Sequence, residues 1–148
     1  MKKNNWTEIT ILLTILFIIL FYFTFFIKGS GNVISEKRLV TPFHSINLTT
    51  IGNLKITQSD NESISTTADD NLIRLIDTNI ENGVLKIAPL RWIRKPTKLD
   101  INITVKEVQD ITISSMAKIY SKEPIKAKSI NINVKKGEID LLLKANEV

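Results

Sequence analysis

Residues 9–27 read ITILLTILFIILFYFTFFI, a run of 19 residues without a charged side chain. Three threonines and one tyrosine are the only polar residues in it, and a threonine hydroxyl can bond to a carbonyl one turn earlier in a helix. A helix of this length is about 28 Å long, which matches the hydrocarbon core of a bilayer. The run predicts a transmembrane helix over Ile9–Ile27 that divides the chain into an anchor and an exported part.

A cleaved signal peptide is the alternative, because it also has a basic start and an apolar middle. This run is longer than the apolar region of such a peptide, and Phe25 and Phe26 stand where small residues are expected. We favour an uncleaved, single-pass anchor in the cell membrane. Lys28, Lys37 and Arg38 after the run nearly balance Lys2 and Lys3 before it. The orientation therefore rests on the usual layout of a signal anchor: a cytoplasmic N-terminus and an extracytoplasmic C-terminal domain.

Four segments follow: a cytoplasmic leader at 1–8, the anchor at 9–27, a Gly- and Ser-containing linker at 28–35, and an all-β domain at 36–148. The 148-residue chain leaves enough residues after the anchor for one domain with a modest core. The lack of cysteine excludes disulfides, a thiol nucleophile and a lipidated cysteine. Positive and negative charges are interspersed, which indicates a solvated surface and no nucleic-acid partner.

The exported part has the pattern of β-strands nearly throughout. Apolar and polar residues alternate with period two, as in half-buried strands. Asn82-Gly83 lies between two such stretches and predicts a hairpin, since both residues tolerate positive φ. Asp69-Asp70-Asn71 predicts the cap of a short helical turn over Leu72 to Ile76. The alternating stretches are 43–48, 54–57, 63–66, 77–80, 84–87, 99–105, 111–113, 118–120, 129–134 and 138–143.

The regular recurrence of short strands, separated by polar turns, favours a β-solenoid-like domain of the right-handed β-helix type, with a β-sandwich as the alternative. In a solenoid, each coil buries its row of isoleucines on the next coil. We therefore expect Ile130, Ile132 and Val134 to face the core, and Asn131 to face the opposite side.

Several segments in a fixed order and spacing carry a resemblance to a known family: residues 31–34, 40–43, Ile46, 54–58, 68–73, 80–87 and 101–105. Together they resemble the bacterial family named "putative autotransporter adhesin, head GIN domain". The resemblance covers most of residues 31–148. It implies an envelope protein with a right-handed β-solenoid-like fold and no catalytic residues.

The C-terminal part departs from the family pattern. Members often have a Ser-Gly-x-Gly turn where this chain has Ser114-Ser115-Met116-Ala117, and members usually continue well past the position of Val148. We expect a C-terminally short member whose last coil lacks a cap. Leu141-Leu142-Leu143 breaks the alternation and puts apolar side chains on both faces of a terminal strand, which predicts self-association through this end.

Candidates for catalysis and metal binding have simpler interpretations. His44 is the only histidine, and it lies within a predicted strand. Asp60 and Glu62 are typical of a turn, and Asp69 and Asp70 of a helix cap, although glycoside chemistry needs such carboxylates. Neither acidic group has the loop that a calcium site requires. We expect no catalytic, metal-binding or cofactor-binding residues, and no cofactor.

The segment Arg91-Trp92-Ile93-Arg94-Lys95-Pro96 is the candidate contact surface. Arg91, Trp92, Arg94 and Lys95 could bind anionic headgroups or an acidic glycan, with the tryptophan ring supplying stacking area. The favoured alternative is a connecting loop in which Trp92 and Ile93 fold back onto the core while the basic side chains stay in water.

The function predicted from these observations is that of a membrane-anchored extracytoplasmic β domain, with a binding, adhesion or structural role in the cell envelope. Its partners would be the membrane, through Ile9 to Ile27, and an envelope glycan or protein ligand. The alternative is a carbohydrate-active envelope enzyme built on a β-solenoid. The absence of a convergent pair of acids in the sequence pattern favours the first.

Overall fold

The computed structural model describes residues 5–145, apart from the side chains of Thr24 and Ala145. Lys2 and Lys3, and the end of the chain at 146–148, lie outside the described residues. The elements in chain order are α1 (Trp6–Phe25), β1 (Phe26–Lys28), β2 (Val33–Leu39), β3 (Ser45–Leu48), β4 (Gly52–Gln58), β5 (Ser63–Asp69), α2 (Asp70–Ile73), β6 (Ile76–Glu81), β7 (Val84–Pro89), β8 (Trp92–Arg94), β9 (Leu99–Val105), β10 (Asp110–Ser121), β11 (Ile125–Ala127), β12 (Asn131–Asp140) and β13 (Leu143–Ala145).

Helix α1 is apolar on every face and exposed from Trp6 to Phe23, a stretch whose length and composition suffice to cross a membrane. Its threonines bond back into the helix as expected: Thr10 Oγ1 donates to the Thr7 carbonyl at 2.9 Å. The predicted span and the helix differ at both ends. The helix begins earlier, at Trp6, and it ends before Ile27 because Phe26–Lys28 is extended and pairs with β8.

One nine-stranded sheet forms the body of the protein. Its strand order is β2-β5-β9-β4-β10-β3-β7-β6, with β12 paired to the remaining edge of β10, and the sheet curls into a half-barrel. Two further pairs, β1 with β8 and β11 with β13, are parallel and two-stranded. The expectation of a mainly β protein with one N-terminal apolar helix is confirmed.

Strand β10 is the centre of the sheet. Its first half pairs in parallel with β3, its second half pairs in parallel with β4, and β12 runs along its other edge. The registers place equivalent apolar residues side by side across four strands. One such row contains Leu85, Ile46, Ile111 and Ile132, and a second contains Ile101, Leu54, Ile119 and Ile139.

The sheet departs from a simple stack of consecutive coils in two respects. β2, β5 and β6 pair with their neighbours in the antiparallel direction, and β3 lies between β7 and β10 although it precedes both in the chain. The β6–β7 hairpin confirms the interpretation of Asn82-Gly83, whose φ values of 51° and 73° are those of a tight hairpin turn.

The core lies along the inner face of the curled sheet, where the alternating strands bury one side of their residues. Its fully buried larger members are Ile46, Leu48, Leu54, Ile56, Ile64, Leu72, Ile73, Ile76, Leu85, Ile87, Ile101 and Ile103. The two predicted strands at 111–113 and 118–120 form one continuous strand, β10, because both halves find partners in the same sheet.

The burial expected for β12 was wrong. Of the three residues expected to face the core, Ile132 is 40% exposed and Val134 is 42% exposed, whereas Ile130, just before the strand, packs partly against the core. The alternation predicted the side of the strand correctly, since Ile132 lies in register with Ile111. β12 pairs with β10 alone among the described strands, so Ile132 and Val134 have a neighbouring strand on one side only.

Asp69 holds the segment that follows α1 against the sheet. Its carboxylate is fully buried and accepts hydrogen bonds from the Gly31 and Thr97 backbone N–H groups, each at 2.8 Å. Burial raises the pKa of Asp69, but the hydrogen bonds from Gly31, Thr97 and Lys98 outweigh it, so the pKa lies below its ordinary value. The predicted capping role was wrong, because Asp69 makes no side-chain cap bond to α2.

Asp70 and Asn71 extend the same attachment to the residues predicted as a linker. Asp70 accepts from the Ser30 hydroxyl at 2.5 Å and from the Asn32 amide at 2.9 Å, which lowers the pKa of Asp70. Asn71 donates to the Lys28 carbonyl at 2.8 Å. Strand β2 begins at Val33, and the predicted boundary between the linker at 28–35 and the domain at 36–148 stays a prediction.

We expect Asp69→Asn to lower the free energy of unfolding by about 1–3 kcal/mol at pH 7. Asparagine has one acceptor oxygen, so either the Gly31 or the Thr97 N–H group would face an NH2 donor in place of an acceptor. The pKa of Asp69 is lower in the folded state than in the unfolded state, so its contribution is full above about pH 5 and is lost as the pH falls through the folded value. The difference between wild type and variant should shrink toward about pH 3. Urea unfolding of the full chain in mild detergent, followed by circular dichroism, measures it.

Asp77→Asn is the matched control, because Asp77 is exposed on β6. Its effect should stay within about 0.5 kcal/mol at both pH values. Equal effects of the two substitutions would contradict the role assigned to Asp69.

Ile119 on β10 and Ile132 on β12, which belong to different rows, should respond very differently to substitution by aspartate. Ile119→Asp places a carboxylate at a fully buried position and should cost more than about 4 kcal/mol or prevent folding. Ile132→Asp can keep its carboxylate in water and should cost about 1 kcal/mol. Denaturant unfolding of both variants tests this, and a severe loss in Ile132→Asp would mean that the exposed side of β12 is covered in solution.

Candidate functional site

The basic and aromatic segment is placed by the pairing of β8 with β1. β1 follows α1 without an intervening residue, and its parallel register sets Phe26 beside Trp92 and Lys28 beside Arg94. Ile93 supplies the packing that holds β8 down, because it lies against the hydrophobic core. The segment therefore lies where the apolar helix meets the sheet.

Aromatic and cationic side chains join the helix end to β8. The Phe26 ring lies 5.8 Å from the Trp92 ring and 4.9 Å from the Tyr22 ring, measured between centroids. The Arg94 guanidinium lies 5.5 Å from the centre of the Tyr22 ring, within the range of a cation–π contact. At an exposed position such a contact contributes about 0.5–1 kcal/mol.

Side chains of this segment alternate between the core and the solvent. Trp92 and Arg94 of β8 are exposed on one side, and the tryptophan keeps 68% of its surface in contact with solvent. Leu90, which precedes β8, is exposed as well. The expectation that Trp92 and Ile93 both fold back onto the core was half right, because Ile93 does and Trp92 does not. The reason is the strand geometry of β8, which sends neighbouring side chains to opposite faces.

We call Lys28, Arg91, Trp92, Arg94 and Lys95 the β8 surface. Its four cationic side chains are exposed, and none forms an ion pair with any residue in the described range 5–145. The sequence has no acidic residue between Glu81 and Asp100. Lys95 has a left-handed φ of 46°, uncommon for a residue with a side chain. The surface has the charge and the donors to bind an anion.

The sequence identified Arg91, Trp92, Arg94 and Lys95 but missed the contribution of Lys28 and of the helix end. Phe26 and Trp92 are more than sixty residues apart, and no local pattern in the sequence predicts that the two short strands pair. A groove of about 530 Å³ runs beside this junction, lined by Tyr22, Phe23, Phe26, Ile27, Lys28, Arg94 and Lys95.

The acidic candidates are distributed over different parts of the molecule. Asp69 and Asp70 bind the segment at 29–32, as described above. Asp60 lines a polar cleft of about 770 Å³ whose other charged residues are Lys106, Glu107, Glu123, Lys126 and Lys128. Within residues 5–145, no three His, Asp or Glu side chains lie close enough together to hold a metal ion.

His44 belongs to a hydrogen-bonded chain that the sequence did not reveal. Its Nδ1 lies 3.0 Å from the Ser45 hydroxyl, which donates to Asp110 at 3.0 Å. Asp110 also accepts from the Asn131 amide, and these bonds from Asn131 and Ser45 lower the pKa of Asp110. A nucleophilic triad requires histidine between serine and the carboxylate, whereas here serine is in the middle. The chain of bonds ties β3, β10 and β12 together.

Solved structures with the same fold come from Bacteroides and Parabacteroides species. A putative adhesin from Bacteroides fragilis is 21% identical with a TM-score of 0.75, covering 81% of this chain and 58% of that one. A putative adhesin from Parabacteroides merdae is 22% identical with a TM-score of 0.68, covering 79% and 55%. A putative lipid binding protein from Parabacteroides distasonis is 24% identical with a TM-score of 0.69, covering 74% and 48%.

The chain thus spans about half to three-fifths of the length of these proteins. At such identities the likeness shows the fold alone. No curated protein matches the chain in sequence. Neither the family nor these three structures is described as an enzyme. The family described as "putative auto-transporter adhesin, head GIN domain" matches residues 42–148, and the chain belongs to this family.

Proposed function

We propose that the chain is a single-pass membrane protein whose β domain serves a binding, adhesion or structural role on the extracytoplasmic side of the cell envelope. The observation that carries the proposal is the exposed apolar helix α1 joined directly to a domain of an adhesin family. A helix of 20 residues without a polar face has no favourable place in water, and a bilayer supplies one.

An uncleaved anchor is supported by how the helix is joined to the sheet. Phe26 and Lys28 follow α1 at once and lie in a strand paired with β8, so a protease site there would be held in a sheet. The asparagine and aspartate contacts to residues 28–32 hold the next segment as well. The cytoplasmic N-terminus remains part of the proposal, since it rests on the usual layout of signal anchors.

A solenoid-like domain, favoured over a sandwich, is supported by the parallel rows of apolar residues in β7, β3, β10 and β12. Parallel in-register strands with stacked equivalent residues are the repeating unit of solenoids, whereas sandwiches are built from antiparallel sheets. The antiparallel strands β2, β5 and β6 then act as the flanks of the parallel part.

We place an envelope glycan or protein ligand on the polar cleft lined by Gln58, Asp60, Lys106 and Glu123. The cleft offers amide, carboxylate and ammonium groups together, which suits a hydrated polar ligand. The alternative of a carbohydrate-active enzyme has less support, because Asp69 and Asp70 are committed to hydrogen bonds with backbone and side-chain donors.

The anchor is tested by Leu16→Arg in the middle of α1. A central arginine costs about 2.5–3.5 kcal/mol on insertion scales, so most of the variant should lose its resistance to carbonate extraction. Wild type should stay in the membrane pellet, with its β domain accessible to external protease. Leu39→Arg is the control, because Leu39 is 92% exposed on β2 and should leave extraction unchanged. A soluble wild-type product that begins near Gly29 would overturn the anchor.

Self-association through the C-terminal strands belongs to the same proposal. Leu142 is 48% exposed and Leu143 is 50% exposed beside β12, whose outer edge has no strand partner among the described residues. Such an edge is a template for pairing with another chain. Leu142→Lys should reduce energy transfer between differently labelled full-length chains in detergent, and Leu39→Lys should not. Unchanged transfer in Leu142→Lys would place the contact elsewhere.

A further inference from the structure

The exposed apolar surface of α1 continues onto β8. It passes from Tyr22 to Phe26 and from Phe26 to Trp92, and the centroid of each ring lies within 6 Å of the next. Leu90, which is 64% exposed, precedes β8 in the chain and adds apolar surface to the same segment. An amphipathic ring at the end of a membrane-spanning helix is the arrangement of interfacial aromatic belts.

Helix length sets the depth of this surface if α1 spans a bilayer. Twenty helical residues extend for about 30 Å, the thickness of the hydrocarbon core. Phe25 then reaches the headgroup region, and the pairing of Lys28 with Arg94 puts β8 at the same level. Because β1 follows α1 with no residue between them and pairs with β8, no flexible linker separates β8 from the end of the helix.

The charge of the β8 surface favours an anionic phospholipid as its ligand. Lys28, Arg91, Arg94 and Lys95 bring four positive charges without an acidic partner among the described residues. Each cation near an anionic bilayer contributes about 1 kcal/mol, or about fivefold in the equilibrium between a seated and a free surface. The groove beside the junction has apolar walls from the helix and cationic walls from Lys28, Arg94 and Lys95, a match for the phosphate and glycerol region of a phospholipid.

We propose that the β8 surface is a binding site for the phosphate groups of anionic phospholipids, and that it seats the β domain on the bilayer surface where α1 emerges. Arg94, Lys95 and Lys28 bind the phosphates, and Trp92 lies among the glycerol groups. The inference rests on the proposed anchoring by α1, and it goes beyond anchoring by fixing which face of the domain meets the lipid.

The fluorescence of Trp92 can report its contact with lipid, because the chain contains only two tryptophans. In a Trp6→Phe background, full-length protein is reconstituted into vesicles of phosphatidylcholine with or without phosphatidylglycerol. Phosphatidylcholine brominated near the headgroup end of its acyl chains should quench Trp92 strongly in the anionic vesicles. In neutral vesicles, and in anionic vesicles at high salt, the quenching should fall at least about twofold, since salt screens exposed charges.

The test variant is Arg91→Gln/Arg94→Gln/Lys95→Gln, which keeps Trp92 and the strand. Loss of three cations should shift the seating equilibrium by about 100-fold and abolish the difference between anionic and neutral vesicles. Its matched control is Lys37→Gln/Lys122→Gln/Lys135→Gln, which removes three exposed cations that belong neither to the β8 surface nor to the lining of the polar cleft. The control should retain the quenching of the wild type.

The outcomes separate this inference from the anchor. Protein that resists carbonate extraction but leaves Trp92 equally quenchable by aqueous acrylamide in all vesicles would sink the headgroup site and keep the anchor. Equal bromine quenching in neutral and anionic vesicles would mean that the β8 surface contacts the bilayer through apolar groups alone, which also overturns phosphate binding. Binding of a soluble acidic polysaccharide by the wild type but not the test variant, with Trp92 in water, would assign the β8 surface to a glycan. Release of wild type by carbonate would contradict the proposed function itself.

Discussion

Backbone pairing along both edges of β10 is the interaction on which the sheet depends. The strand has twelve residues, long enough for β3 and β4 to pair with its two halves on one edge while β12 pairs along the other. The shared register then aligns apolar side chains from strands that are far apart in the chain. Each fully buried Ile or Leu in these rows contributes about 1.5–3 kcal/mol, so correct register in β10 determines most of the core.

The second constraint is the burial of Asp69. A carboxylate without water must be hydrogen-bonded, and the donors come from Gly31, shortly after β1, and from Thr97, shortly after β8. Gly29 also approaches this carboxylate so closely that a Cβ atom at position 29 would collide with it. One side chain therefore holds together the two segments that follow β1 and β8.

Local pattern predicted the helix, the hairpin at Asn82-Gly83 and most of the strands, because alternation and turn chemistry depend on neighbouring residues. It failed where the outcome depends on distant partners. The exposure of Ile132 follows from the position of β12 at the margin of the sheet, which alternation does not encode. The same holds for Asp69, whose donors lie 38 and 28 residues away, and for the pairing of β1 with β8. The basic residues of the candidate surface could be identified from the sequence, but their position beside the helix could not.

That position changes what a weak surface can do. A cation–π contact and a few exposed cations would bind a free bilayer poorly if the domain were in solution. Under the proposed anchoring the helix would supply membrane attachment. The absence of free residues between α1 and β1 would then make contact with headgroups an intramolecular event with a high effective concentration. Exposed tryptophan and leucine side chains leave apolar surface in water. They and the neighbouring cations suit the chemistry of the interface at which the proposed anchor would place them. If the domain contacts lipid through the β8 surface, the polar cleft lined by Asp60 and Glu123 takes no part in that contact, since none of its lining residues belongs to the β8 surface.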